Sequence, residues 1–218
     1  IDVELNINIF NVVKELDSRG IVNSIASRND MDLAMNKLKE LNIDEYFLYP
    51  QIHCDNKSKS IRDISNLLNI GIDSIAFVDD QDFEIGEVNS RIPSVECVKT
   101  EDIEIRILGD EFNPRFITRE SGSRRNMYRS DMVRRSDEES SGVTHVEFMK
   151  SIGMKCSILE ASESDLKRAE ELTVRTNQLN TSGKTYSYEE LRDFANSEDY
   201  ELLVVRLEDV YGAYGTIG

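Results

Sequence analysis

The chain is short of basic residues, cysteine, histidine and long apolar runs, and each shortage removes a class of function. Its 26 lysines and arginines stand against 42 acids, a net charge of −16 over 218 residues. That balance repels a phosphodiester backbone over most of the surface and argues against nucleic acid as a partner. No apolar stretch approaches the ~20 residues needed to cross a bilayer, and no signal peptide opens the chain, so no membrane partner is expected. Cys54, Cys97 and Cys156 form an odd set without metal-ligand spacing and read as reduced thiols of a cytoplasmic protein. His53 and His145 lack partner spacing and read as surface or satisfied core side chains. Three prolines and 39% apolar residues suit a globular chain of one large or two small domains. The start at Ile1 and the stop at Thr216–Ile217–Gly218, where a strand is beginning, read as a piece with material missing on both sides.

What is present is an alternation of helical and extended patterns. Phe10, Val13 and Leu16 share a helical face closed by Gly20. A short strand, Ile21–Ala26, stops at Ser27–Arg28–Asn29–Asp30, where a second helix with Leu33, Leu38 and Leu41 begins. The unit repeats through Phe47–Tyr49, a helix with Ile61, Ile64, Leu67 and Leu68, a strand Ser74–Val78 and a last strand near Val95–Val98. Single helices between strands imply right-handed crossovers and a parallel sheet with helices on both faces. The period dissolves from Glu101 to about Gly142. There seven arginines (Arg115, Arg119, Arg124, Arg125, Arg129, Arg134, Arg135) face Glu120 and Asp131, seven minus two giving a local charge of +5. This reads as a solvated linker or surface helix, or as a docking strip for an acidic partner. A second α/β segment follows, with a strand at Lys155–Leu159, helices at Ser164–Leu179 and Tyr188–Phe194, and a strand at Glu201–Leu207 before a turn at Gly212 and Gly215. The expected domains are 1–100, a linker over 101–147, and 148–218.

The chemistry concentrates at strand ends. In an open parallel sheet these deliver side chains into one crevice, so Ser27, Lys57 and the pair Asp79–Asp80 are expected to converge. A cation, a hydroxyl and two adjacent acids make a phosphoryl site: Lys57 on the phosphate, Ser27 with the amides of Arg28 and Asn29 donating to it, and Asp79 and Asp80 holding Mg²⁺. Glu84 adds an acid behind them. Taken singly, the serine reads as a helix cap, the lysine as solvated and the acid pair as a turn. Their joint order favours the site, because neighbouring carboxylates repel until a cation relieves them. Cys54, three residues before Lys57, is a thiol nucleophile if the lysine lowers its pKa, and filler otherwise. Cys97 and Cys156 lie in strand-like runs and read as buried filler.

The order of a strand ending in Ser27, a downstream Lys57 and a strand ending in Asp79–Asp80 resembles motifs two to four of the haloacid dehalogenase (HAD) superfamily. More closely, Arg19–Gly20–Ile21, Ser24–Asp30, Lys57–Ser58, Phe77–Asp80 and Arg175–Thr176–Asn177–Gln178–Leu179–Asn180 resemble the FkbH-like proteins, over nearly the whole chain. The resemblance implies a HAD-like Rossmannoid domain of the IIIC phosphatase-like type followed by a partial GNAT-like α/β domain. It further implies a bacterial enzyme of polyketide-type biosynthesis that uses Mg²⁺. Such enzymes remove phosphate from a phosphorylated three-carbon acid, 1,3-bisphosphoglycerate, and load the glyceryl unit onto an acyl carrier protein. Arg175, Asn177, Gln178 and Asn180 either line an acyl or pantetheine channel or cap the helix end.

The departures are specific. The family's nucleophile lies in an Asp-x-Asp-x-Thr motif, of which Asp2–Val3–Glu4–Leu5 is the one local imitation, so little turnover is expected from this chain. Gln81 stands where the family commonly has Asn, and the loop that grips CoA in GNAT folds is not reached, so no acetyl-CoA site is assigned. Two other readings stay open: a plain HAD phosphatase acting on a small phosphorylated metabolite, and a silent module that recruits an acidic carrier through the 115–135 strip.

Overall fold

A computed structural model describes residues 4–175, 180 and 182–218, the side chain of Arg175 excepted. The chain divides into two compact units, Ile1–Arg115 and Phe116–Gly218.

In the first unit α1 (Ile7–Ser18) begins where Asn6 Oδ1 accepts the N–H groups of Asn8 and Ile9 at 3.1 and 3.2 Å. It ends before Gly20, whose φ of +76° is one that glycine adopts without strain. Val12 and Leu16, one turn apart, face inward. There follow β1 (Ala26–Ser27), α2 (Met31–Glu40), β2 (Gln51–Ile52), α3 (Lys57–Leu68), β3 (Ala76–Asp79), α4 (Asp82–Arg91), β4 (Glu96–Lys99) and α5 (Ile103–Arg106). Leu33, expected on an inner helical face, is exposed.

β1 pairs parallel with β2, and β3 with β4. The alternation and the parallel sense match the sequence pattern, but the described residues form two two-stranded sheets rather than one continuous sheet. The strand expected from Ile21 is cut to two residues. Asn23 makes only an isolated bridge with Phe47, and its amide donates to Val13 O and Ile21 O, both at 3.3 Å. A side chain bonded to nearby carbonyls competes with the ladder.

The β3–β4 ladder is covered on both faces. On one, Val98 packs with Val12, Leu16, Ile103, Ile107 and Phe112; on the other, Phe77 packs with Ile61, Val88, Ile92 and Val95. Successive strand residues point to opposite faces, so helices on either side hold the strand that ends in Asp79.

The second unit contains α6 (Arg119–Gly122), α7 (Arg124–Ser141), α8 (His145–Ser151), β5 (Lys155–Glu160), α9 (Glu163–Arg175), α10 (Tyr188–Ala195), β6 (Leu203–Asp209) and β7 (Gly212–Thr216). The strands form one antiparallel sheet in the order β5-β6-β7, with an irregularity between Leu207 and Glu208. Gly212 and Gly215, expected in a turn, both lie in β7. Cys156 is exposed rather than buried, as is every residue of β5.

The expected linker over 101–147 is no separate segment. Residues 101–115 complete the first unit, and from Phe116 onward the chain is helical and belongs to the second. An apolar period misses α7 because none of its residues is buried; polar contacts hold it. Ser130 Oγ donates to Tyr211 O at 3.1 Å, Tyr211 Oη donates to Asp137 at 2.8 Å, and Arg134 donates to Tyr214 Oη at 2.6 Å. At least three of the seven strip arginines are paired with carboxylates: Arg124 with Glu171 at 2.6 Å, Arg135 with Asp131 at 2.8 Å, and Arg134 with Asp131 and Asp209. Among the described residues no helix is long and apolar enough to cross a membrane.

Candidate functional site

Lys57 is the first residue of α3, and helical side chains lean toward the helix start. Its ammonium reaches back to the strand ends. Nζ donates to Ala26 O at 2.5 Å, lies 3.4 Å from Asp79 Oδ2 and sits 5.9 Å from the centre of the Phe77 ring. Along β1 and the residue before it, Ile25 O and Ser27 O accept from Gln51 N at 2.7 Å and His53 N at 3.0 Å, so Ala26 O faces the other edge, where the lysine meets it. The side chains of Lys57 and Asp79 are 10% and 11% exposed, so the pair is largely withdrawn from water and its partners hold each other in place.

Asp79 ends β3, and its Oδ1 accepts the N–H of Gln81 at 2.9 Å, which turns the chain into α4. Asp80 is exposed on that turn. Ser27 is half-buried at the end of β1, and its hydroxyl makes no hydrogen bond among the described residues. Asn29 is exposed and accepts Asp30 N–H at 2.8 Å, while Asp30 Oδ1 caps α2 through Leu33 N at 2.9 Å.

Arg28 spans three segments. Nε donates to Asp55 O at 3.3 Å, Nη2 donates to Asn56 Oδ1 at 3.1 Å, and Nη1 lies 3.4 Å from Glu84 Oε1. Glu84 is 5% exposed, and its Oε2 is buried with no hydrogen-bond partner. One turn further along α4, Glu87 accepts from Ser58 N at 3.1 Å and from Ser58 Oγ at 2.6 Å. The first turn of α3 is thus already held by a carboxylate, and an anion at this site would meet the Lys57 ammonium rather than those amides.

Asp79 and Asp80 offer hard carboxylate oxygens, the donor type Mg²⁺ takes, usually one or two carboxylates with waters completing the octahedron. Among the described residues no group of three His, Cys, Asp or Glu is arranged to hold a metal. Asp79 and Asp80 are the residues that would hold such an ion, with water completing its shell.

Other expected positions do not join this cluster. Cys54 is exposed in the loop before α3, and the Lys57 ammonium is turned to Ala26 and Asp79 instead of to its thiol. Arg175 ends α9, with its side chain outside the described residues, and Asn177, Gln178 and Asp2 lie outside them altogether. Asn180 spends its amide locally: Nδ2 donates to Lys184 O at 2.6 Å and Thr173 O at 3.4 Å, and Oδ1 accepts from Ser182 Oγ at 2.9 Å. These are bonds of the helix-end capping kind. Glu87, Asn56 and the carbonyl of Asp55 were not legible beforehand. Glu84 and Glu87, three apart on one helical face behind Asp80, were the available signal.

Compared with known protein families, with curated proteins and with solved structures, the chain matches none. The structure defines a mixed α/β chain whose first unit pairs Lys57 with Asp79 and Arg28 with Glu84 beside the ends of β1 and β3.

Proposed function

We propose that the chain serves the Mg²⁺-dependent dephosphorylation of a phosphorylated three-carbon acid, its acyl unit passing to the thiol of an acyl carrier protein, as in the FkbH-like proteins it resembles. The observation that carries the phosphoryl part is the Lys57 ammonium set between Ala26 O and Asp79 Oδ2. Parallel strands alternating with helices support a HAD-like reading of the first unit. A three-stranded antiparallel sheet with α9 and α10 between β5 and β6 supports a GNAT-like reading of the second.

In this reading Lys57 neutralises the phosphate, Ser27 donates a hydrogen bond to it, and Asp79 and Asp80 hold the ion. When bound, Mg²⁺ screens the charge on the phosphoryl oxygens. The charge count supports an ion in this reading. Lys57 and Arg28 face Asp79, Asp80 and Glu84, so the mouth is one charge negative without a divalent cation and one charge positive with it. Arg124, Arg134 and Arg135 of the 115–135 strip are already paired with carboxylates of the second unit, which leaves the carrier-recruiting module less support.

The chain carries no Asp-x-Asp-x-Thr, so the first test is binding. Calorimetric titration should show inorganic phosphate bound only with Mg²⁺ present, and lost in Asp79→Asn and Lys57→Met. Binding that ignores Mg²⁺ or survives both substitutions overturns the site. Incubation with 1,3-bisphosphoglycerate and carrier proteins, read by intact mass, tests the transfer. Free phosphate with no mass shift on any carrier points to the plain phosphatase.

A further inference from the structure

Every residue of β5 is exposed, whereas a strand of an antiparallel sheet ordinarily buries one face. Ala161 N–H donates to Leu202 O at 2.8 Å, and antiparallel pairs alternate, so Leu159, Ser157 and Lys155 turn their backbone groups to β6. The N–H and C=O groups of Cys156, Ile158 and Glu160 therefore point to the open edge. Among the described residues no strand pairs with them. Natural edges are blunted by proline, a bulge or a charge in mid-strand. β5 has none of these: it holds no proline, its register with β6 is unbroken, and its charges, Lys155 and Glu160, stand only at its ends. Ile158 is 65% exposed and lies opposite Val205, whose carbonyl accepts from Ile217 N–H at 2.8 Å. An apolar row thus crosses the sheet and stops in water at β5.

We propose that the open edge of β5 pairs antiparallel with β5 of a second copy of this chain, about a two-fold axis at Ile158, joining two three-stranded sheets into one. The end charges select this occupant. Antiparallel alignment lays the Lys155 end of one strand beside the Glu160 end of the other, whereas parallel alignment sets like charges together. The axis has to pass through a residue, because directly opposed residues either both bond across the pair or both turn away. With Ile158 on it, the outward groups of Cys156 and Glu160 bond across the copies, and Ile158 bonds its own counterpart. The apolar row then continues from one sheet into the other. A six-residue edge makes an interface at the small end of the range, below about 1,200 Å², so the pair exchanges, with a Kd of about 10–100 μM. The inference does not depend on the phosphoryl site.

Sedimentation velocity of the whole chain from about 1 to 300 μM should show monomer giving way to dimer. Ile158→Lys sets two ammonium groups together on the axis and should weaken association by about tenfold or more, with circular dichroism unchanged because the side chain is exposed. In a Cys54→Ser background, oxidation should cross-link Ile158→Cys as a dimer. Without that substitution Cys156 should not cross-link, because the register sets it opposite Glu160 rather than its own counterpart. Amide exchange at Cys156, Ile158 and Glu160 should slow as concentration rises.

A chain that stays monomeric throughout, a dimer that survives folded Ile158→Lys, or the lack of an Ile158→Cys cross-link overturns the inference. Protection of those amides that ignores concentration also overturns it, since a segment of the same chain would then cover the edge. If Ile158→Lys does not fold, the cross-link and the exchange decide.

Discussion

Ser58 gives both its backbone N–H and its hydroxyl to Glu87, at 3.1 and 2.6 Å. This contact joins the first turn of α3 to α4 and fixes the helix start from which Lys57 reaches the strand ends. Glu87→Ala removes the acceptor from two donors of a buried serine, and a lost helix-start contact costs about 1–2 kcal/mol. Chemical denaturation should show that loss, and the weaker hold on α3 should also reduce phosphate affinity.

Lys57 and Asp79 should prove energetically coupled. Removing either leaves its partner poorly matched in a site with little water, whereas removing both does not. In a double-mutant cycle with Lys57→Met and Asp79→Asn, the double variant should be less destabilised than the sum of the singles, by about 1–3 kcal/mol. Additive losses would mean that the two groups do not sense each other.

How much of this was legible from sequence follows from what each residue depends on. Lys57, Asp79 and their approach could be anticipated because strand ends and helix starts are local signals, although the two ladders that carry them do not pair with each other. Asn23 hid the shortness of β1, since its amide bonds to carbonyls that no apolar pattern reveals. The helix α7 was invisible to periodicity because charge pairs with distant β6 and α9, rather than an apolar stripe, hold it. Glu84, expected as an acid behind Asp79 and Asp80, is buried and paired with Arg28, a partner that no local pattern announces.

Asp165 links acid stability to the second unit. Burial alone would raise its carboxyl pKa, but hydrogen bonds from Ser162 and the Arg206 guanidinium outweigh that and hold it below the usual carboxylate value. A carboxyl depressed on folding stabilises above its unfolded pKa of about 3.9, and that contribution is lost as pH falls through the folded value. Asp165→Asn should therefore lower the thermal midpoint near neutrality and flatten its fall below about pH 4. An unchanged acid limb would remove Asp165 as its source.

Tyr214 should resist ionisation. Burial and its hydrogen bond to Asp209, 2.8 Å away, raise its pKa from 10.0 to about 12, so the fold favours the neutral phenol. Its stabilising contribution is complete below the unfolded value and fades as pH rises toward the folded one. Ultraviolet titration of the eight tyrosines should show a late-ionising component that disappears in Tyr214→Phe.

The open edge of β1, where Ala26 O turns away from β2, gives Lys57 two tasks. One ammonium ties the first two-stranded ladder to the carboxylate that ends the second, and the same ammonium is what an incoming anion would attract. A guest that draws Nζ toward itself therefore slackens the brace between the ladders. If the proposed anion binds there, occupancy and internal cohesion of the first unit are coupled, and amide exchange along β1 and β3 would register the guest's arrival.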